Sequence, residues 1–104
     1  MSNEIGIEAI EYYLPSGVIS SCELSSQYGF DQDFIENKVG VRNLYTVENE
    51  TVVDMAVKAL ELMFLKKSDL RQCIDLLVVC TQTPDYQLPQ TSSQIQSRCK
   101  LSNG

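Results

Sequence analysis

Four cysteines and no histidine set what chemistry this sequence can hold. Without an imidazole there is no neutral-pH acid/base switch and no Ser-His or Cys-His pair, so a nucleophile here needs a partner from elsewhere. Cys80 is the thiol best placed by sequence, at the end of an apolar run. Its neighbour Thr81 brings no cation, histidine or helix N-terminus to lower its pKa. The positions of Cys22, Cys73, Cys80 and Cys99 contain no C-x-x-C spacing. Neither common zinc-ligand arrangement is therefore available, and no metal site is expected. The carboxylate pairs Asp31 with Asp33 and Glu48 with Glu50 stand where helices begin, and free amides favour negative charge there. They are expected to cap rather than to catalyse. Asp85 and Tyr86, between Pro84 and Pro89, are polar groups on a constrained loop and are candidates for specificity. An ordinary exposed turn accounts for the same composition.

The elements that must position these residues follow from the patterning. Residues 78–101 run from a β-branched apolar strand through a two-proline loop into a Ser/Gln-rich helix. A strand in a covered sheet delivers its following loop to the carboxyl edge, where α/β proteins place ligands. Residues 81–91 are thus where function is expected. Upstream, residues 74–81 form a continuous apolar run, which predicts a central, largely parallel strand covered on both faces. Residues 52–65 carry Val52, Met55, Ala56, Ala59, Leu60, Met63 and Phe64 at spacings of three and four, an amphipathic helix. Thr51 with Asp54 approximates its capping box. Asn49-Glu50-Thr51 formally matches a glycosylation acceptor but reads better as this helix start.

Toward the N-terminus, residues 4–13 alternate imperfectly, placing Ile5, Ile7 and Ala9 on one face of an opening strand. Leu14-Pro15-Ser16-Gly17 breaks it with turn chemistry, Gly17 permitting positive φ, and a short connection follows. Ser20 stands three residues before Glu23, and Gly29 can close a helix over residues 21–28. Asp31 can cap a second helix over residues 32–38 that Gly40 ends. Residues 41–47, VRNLYTV, return to strand composition. The order of elements is that of α/β architecture.

With 104 residues, of which 43% are hydrophobic, the chain can bury one core but is small for a self-sufficient α/β domain. Eight basic residues against 14 acidic, a net charge of −6, exclude a broad phosphate-backbone footprint, so nucleic acid is not an expected partner. The opening MSNEIGIEAIEYYLP carries glutamates where a signal peptide needs a basic start. The longest uncharged apolar run, residues 76–80, is far short of the ~20 residues of a membrane span. A soluble, cytoplasmic protein with reduced, structural cysteines is expected.

Several short motifs occur together in one order. They are Tyr13-Leu14-Pro15, Asp33-Phe34-Ile35 leading to Val39-Gly40-Val41-Arg42, Asn49-Glu50-Thr51, and the stretch 78–101 with Gln94-Ile95-Gln96. In wording and spacing the chain resembles the β-ketoacyl-acyl carrier protein synthase III family of condensing enzymes. The resemblance implies a thiolase-like α/β fold, in which two similar halves build a layered αβαβα body. Residues 1–104 would be an incomplete N-terminal domain, part of the first αβα half. It also implies a decarboxylative Claisen condensation. A cysteine takes an acyl group from coenzyme A, and an enolate from malonyl-acyl carrier protein then attacks it, dividing one difficult step into two.

The family's nucleophilic cysteine follows closely after the region matching Lys100 to Gly104, and its histidine and asparagine come later. The resemblance therefore puts no catalytic residue on this chain, which alone is expected to be inactive. Phe34 stands where the family often has a tryptophan stacked on the adenine of coenzyme A, and Lys38 where it has an arginine near the phosphates. Phe34 keeps a smaller π face, and Lys38 keeps charge without the planar fork. An altered acyl donor, or an acyl carrier protein in place of coenzyme A, would fit these changes. Core packing is the other reading of Phe34. Leu88 matches a bulky position that reaches across a homodimer to close the partner's acyl pocket, with loop 84–89 shared between sites.

The implied partners are acyl carrier protein, acyl-coenzyme A and a second copy of the chain. Coenzyme A or acyl carrier protein thioesters enter as substrates, not as bound cofactors. Two further readings compete with this one. The 104 residues could form a stand-alone, non-catalytic module that binds acyl carrier protein or a subunit. The fold could instead belong to a hydroxymethylglutaryl-coenzyme A synthase-like enzyme, which needs a glutamate as general base. Alone, the chain is expected to self-associate or be poorly stable, because the strand at residues 74–81 would leave edges and apolar surface open.

Overall fold

The computed structural model describes residues 4–102. Two compact units form, one of Leu14–Glu50 and the other from the rest of the described chain.

In the first unit, β1 (Gly17–Ser20) pairs antiparallel with β2 (Asn43–Thr46), in a register running from Gly17 opposite Thr46 to Ser20 opposite Asn43. The short connection expected after the Leu14–Gly17 turn is thus a strand, made by β-branched Val18 and Ile19 where the VRNLYTV segment lies alongside. Gly17 does not supply positive φ. Its missing Cβ matters instead, since a methyl there would fall 2.5 Å from the Thr46 carbonyl oxygen.

Helix α1 (Ser21–Tyr28) begins and ends as its spacing predicts. The Ser20 side chain accepts from the Glu23 amide, and Gly29, at φ 74°, donates its amide to the Ser25 carbonyl. The Asp31 carboxylate accepts from the Asp33 amide. The helix that follows is wider than expected: over Phe34–Val39 it is a π turn. Gly40, at φ 84°, lets both its own amide and that of Val41 reach the Ile35 carbonyl, each at 3.0 Å. Ile35 is buried beneath this turn, and the buried Ser21 hydroxyl donates to Glu36 at 2.7 Å.

The second unit is organised by α2 (Val52–Lys66) and α4 (Thr91–Arg98). Thr51 and Asp54 form a reciprocal capping box at the start of α2. The buried stripe is rotated slightly from the predicted one and runs through Val53, Ala56, Val57, Leu60 and Phe64, still at spacings of three and four. From α4 and the turn after it, Ile95, Cys99 and Leu101 complete the core, with Ile95 1% and Cys99 0% exposed. Fully burying such a side chain is worth about 1.5–3 kcal/mol, so these few residues hold the unit together. A short helix α3 (Leu70–Cys73) follows α2.

The expectation of a strand buried on both faces at residues 74–81 is corrected. The segment has no ladder partner among the described residues. Ile74, Leu77 and Val79 pack on the core, while Leu76 and Val78 are 80% and 78% exposed. A continuous apolar run marks a strand that neighbours can cover, but it does not supply those neighbours. Residues 4–13, expected as an opening strand, likewise carry no ladder, and Ile5 and Ile7 are exposed. Among the described residues no helix is long and apolar enough to cross a membrane.

Candidate functional site

Residues 81–90 leave the extended segment and return as α4, and side chains hold them against the helices. The Asp85 carboxylate accepts from two backbone amides at the start of α2, Val52 and Val53, each at 3.0 Å. Asp85 was a candidate for specificity, with an ordinary exposed turn as the other reading. Its two oxygens are instead spent as an anchor, because the first turn of a helix offers amides with no partner inside the helix. Thr81 accepts from the Thr83 amide at 3.2 Å, and Gln94 on α4 donates to the Pro89 carbonyl at 3.1 Å. The Leu88-Pro89 peptide bond is cis. Between these ties Tyr86 and Leu88 project outward, Leu88 at 81% exposure. A cavity of about 280 Å³ lies beside the loop, lined by residues that include Thr81, Tyr86, Gln87, Gln90 and Thr91.

The frame beneath the loop is electrostatic as well as apolar. Arg98, in the last turn of α4, donates to Asp54, in the first turn of α2, at 2.6 Å. Hydrogen bonds from the Thr51 amide, then from Arg98, hold the Asp54 carboxyl down at about 2, against an ordinary 3.8. Both charges also sit at the helix ends that favour them. Arg71 bonds Glu61 at 2.9 Å while its guanidinium lies 4.8 Å from the Phe64 ring centre.

Phe34 and Lys38 lie in the Leu14–Glu50 unit, on the π turn. Phe34 is 42% exposed and stacks on Phe30, with ring centres 6.4 Å apart and planes 26° apart. Both rings line a wholly apolar groove of about 300 Å³ with Leu24, Tyr28, Val39 and Leu44. Lys38 is exposed one turn farther along. Phe34 is thus neither a core residue nor a free one. It forms the wall of an open apolar surface, a placement the sequence reading had divided between packing and binding.

The cysteines divide differently from expectation. Cys22, Cys73 and Cys80 are exposed, and only Cys99 behaves as a core residue. Burial pushes the Cys99 thiol up, with the nearby Glu61 charge adding to the effect, so it is a poor nucleophile. No group of three metal-binding side chains assembles among the described residues. Each unit offers a surface for recognition of its own: the Leu14–Glu50 unit an apolar groove walled by Phe34, the other unit an anchored loop with an outward Leu88.

Known proteins share both sequence and shape with this arrangement. Over 97 residues, 93% of the chain, it is 31% identical to a β-ketoacyl-[acyl-carrier-protein] synthase III from Streptococcus agalactiae serotype III. The corresponding protein of Paramagnetospirillum magneticum is 33% identical over 94 residues, 88% of the chain. A crystal structure of β-ketoacyl-[acyl carrier protein] synthase III from Thermus thermophilus superposes with a TM-score of 0.81 at 26% identity, covering 93% of the chain. Over this stretch, the chain is similar in both sequence and shape to β-ketoacyl-acyl carrier protein synthase III. Its fold is accordingly the thiolase-like α/β fold of synthase III. The chain spans about 30% of the length of the synthase III proteins it matches. No protein-family model matches it.

Proposed function

We propose that this chain is the N-terminal portion of a synthase III-type condensing enzyme, acting in the cytoplasm in fatty-acid or related acyl-chain biosynthesis. In that reaction a cysteine thiolate attacks an acyl-coenzyme A thioester, and the coenzyme A thiolate leaves. Loss of carbon dioxide from malonyl-acyl carrier protein generates an enolate, whose carbon attacks the acyl-enzyme. The cysteine is released and a β-ketoacyl thioester remains on the carrier. The observation that carries the proposal is the joint likeness in sequence and shape to synthase III proteins over 93% of the chain.

This chain's share of the work is binding and shape rather than bond making. Phe34 offers a π face for the adenine of coenzyme A, and Lys38 a cation for its phosphates. The exposed groove beside Phe34 supports the first role. Leu88, on the anchored loop, reaches the acyl pocket of a second copy in a homodimer, which suits a bulky side chain so far out in solvent. The 104 residues alone are expected to release no carbon dioxide from malonyl-acyl carrier protein.

The test begins with the protein purified from its native cells, its intact mass measured and its condensation of acyl-coenzyme A with malonyl-acyl carrier protein assayed. Formation of β-ketoacyl-acyl carrier protein with carbon dioxide supports the proposal. A polypeptide of 11.7 kDa that binds acyl carrier protein saturably but forms no product would replace it with a stand-alone binding module. Condensation on acetoacetyl-coenzyme A would replace it with the hydroxymethylglutaryl-coenzyme A synthase reading.

A further inference from the structure

Loop 81–90 is tied down on both sides of Leu88. Three residues before it, the Asp85 carboxylate spans the Val52 and Val53 amides at 3.0 Å each. One residue after it, the Pro89 carbonyl accepts from Gln94 at 3.1 Å. Leu88 is 81% exposed, so its own packing does not fix where it stands. Its position is set by the backbone that carries it.

The Asp85 contact does not duplicate the cap that α2 already has. Thr51 takes the Asp54 amide and Asp54 takes the Thr51 amide, which leaves the amides of Val52 and Val53 free. Asp85 takes those two from 32 and 33 residues away. Hydrogen bonds to an ionised group are the strong ones, and a carboxylate gripping two parallel donors also fixes orientation.

We infer that Asp85 is a positioning residue for Leu88: by clamping the loop to the first turn of α2, it sets how far the loop tip reaches and so the acyl length admitted. The consequence for acyl length rests on the proposed role of Leu88; the clamp itself does not.

The experiment compares the intact protein with Asp85→Asn, Leu88→Trp and Ile95→Val variants. Asparagine keeps the size of the side chain but turns an N–H group toward one of the two amides. Asp85→Asn is expected to speed exchange of the Val52 and Val53 amides, and chymotryptic cleavage after the exposed Tyr86, by at least about tenfold. It is also expected to broaden the range of acyl lengths in the products. Ile95→Val, a core variant that lowers the melting temperature without touching the loop, is expected to do neither. Unchanged exchange and cleavage in Asp85→Asn overturn the clamp. An equal broadening by Ile95→Val overturns the positioning role, because general loosening would then explain it. If Asp85→Asn frees the loop but Leu88→Trp leaves product length unaltered, the acyl-pocket reading of Leu88 fails and the clamp stands.

Discussion

Arg98 donates to the Asp54 carboxylate across 2.6 Å, so one aspartate both closes the N-terminus of α2 and holds the C-terminal end of α4. The sign of its effect on stability follows from its depressed pKa. Protonating Asp54 is harder in the folded protein than in the unfolded chain, so its stabilisation is complete above 3.8 and is lost as pH falls through about 2. Asp54→Asn should flatten the dependence of melting temperature on pH across that window. Glu11, held low by Lys66, and Glu36, held low by Ser21, leave a residual slope in the same direction. A slope as steep as that of the unmodified protein would show that Asp54 titrates normally.

Phe34 is the residue on which the coenzyme A reading turns within its own unit. Removing an aromatic face from a stacked contact costs about 0.5–1.5 kcal/mol beyond lost area, or roughly two- to tenfold in affinity. Phe34→Ala should weaken coenzyme A binding by that factor, measured calorimetrically on the intact protein, and Phe34→Trp should strengthen it. Identical affinities in all three would leave the ring as a packing partner of Phe30 alone.

Leu88 makes a prediction about product length. Leu88→Trp in the intact enzyme should shorten the longest acyl donor accepted, read from the chain-length profile of the condensation products. A profile that does not move would remove Leu88 from the acyl pocket.

Gly17 tests the hairpin of the smaller unit. A methyl group at this position meets the Thr46 carbonyl oxygen at 2.5 Å, a backbone atom that moves only if β1 and β2 part. Overpacking of this kind typically costs about 1–3 kcal/mol. Gly17→Ala should show that loss in denaturant unfolding, and an unchanged midpoint would mean that the strands separate freely.

What could be read from the sequence was what is local along the chain. Ser20 with Glu23 and Gly29, and Thr51 with Asp54, are caps written within a few residues of each other, and the helices begin and end where those residues say. The thiolase-like resemblance was also legible, because its motifs are short and ordered. The clamp of Asp85 on Val52 and Val53 was hidden because its partners lie more than thirty residues away, and Asp54 with Arg98 was hidden by 44. Both residues looked like solvated loop or helix-end charges. The run at residues 74–81 misled in another way: its β-branched side chains report what the segment can become when covered, whereas exposure depends on what lies beside it. Strand β1 was missed because four residues are too few for a period of two to declare itself.

The unequal placement of the cysteines gives the molecule a clock of its own. An alkylating reagent reaches Cys22, Cys73 and Cys80 in the folded protein. Cys99 has no exposed surface and reacts only in the intervals when α2 and α4 have come apart. The fourth labelling event therefore lags the other three by the waiting time for that opening. Counting labels by mass against time would measure, in the unaltered sequence, how often the helical core breathes.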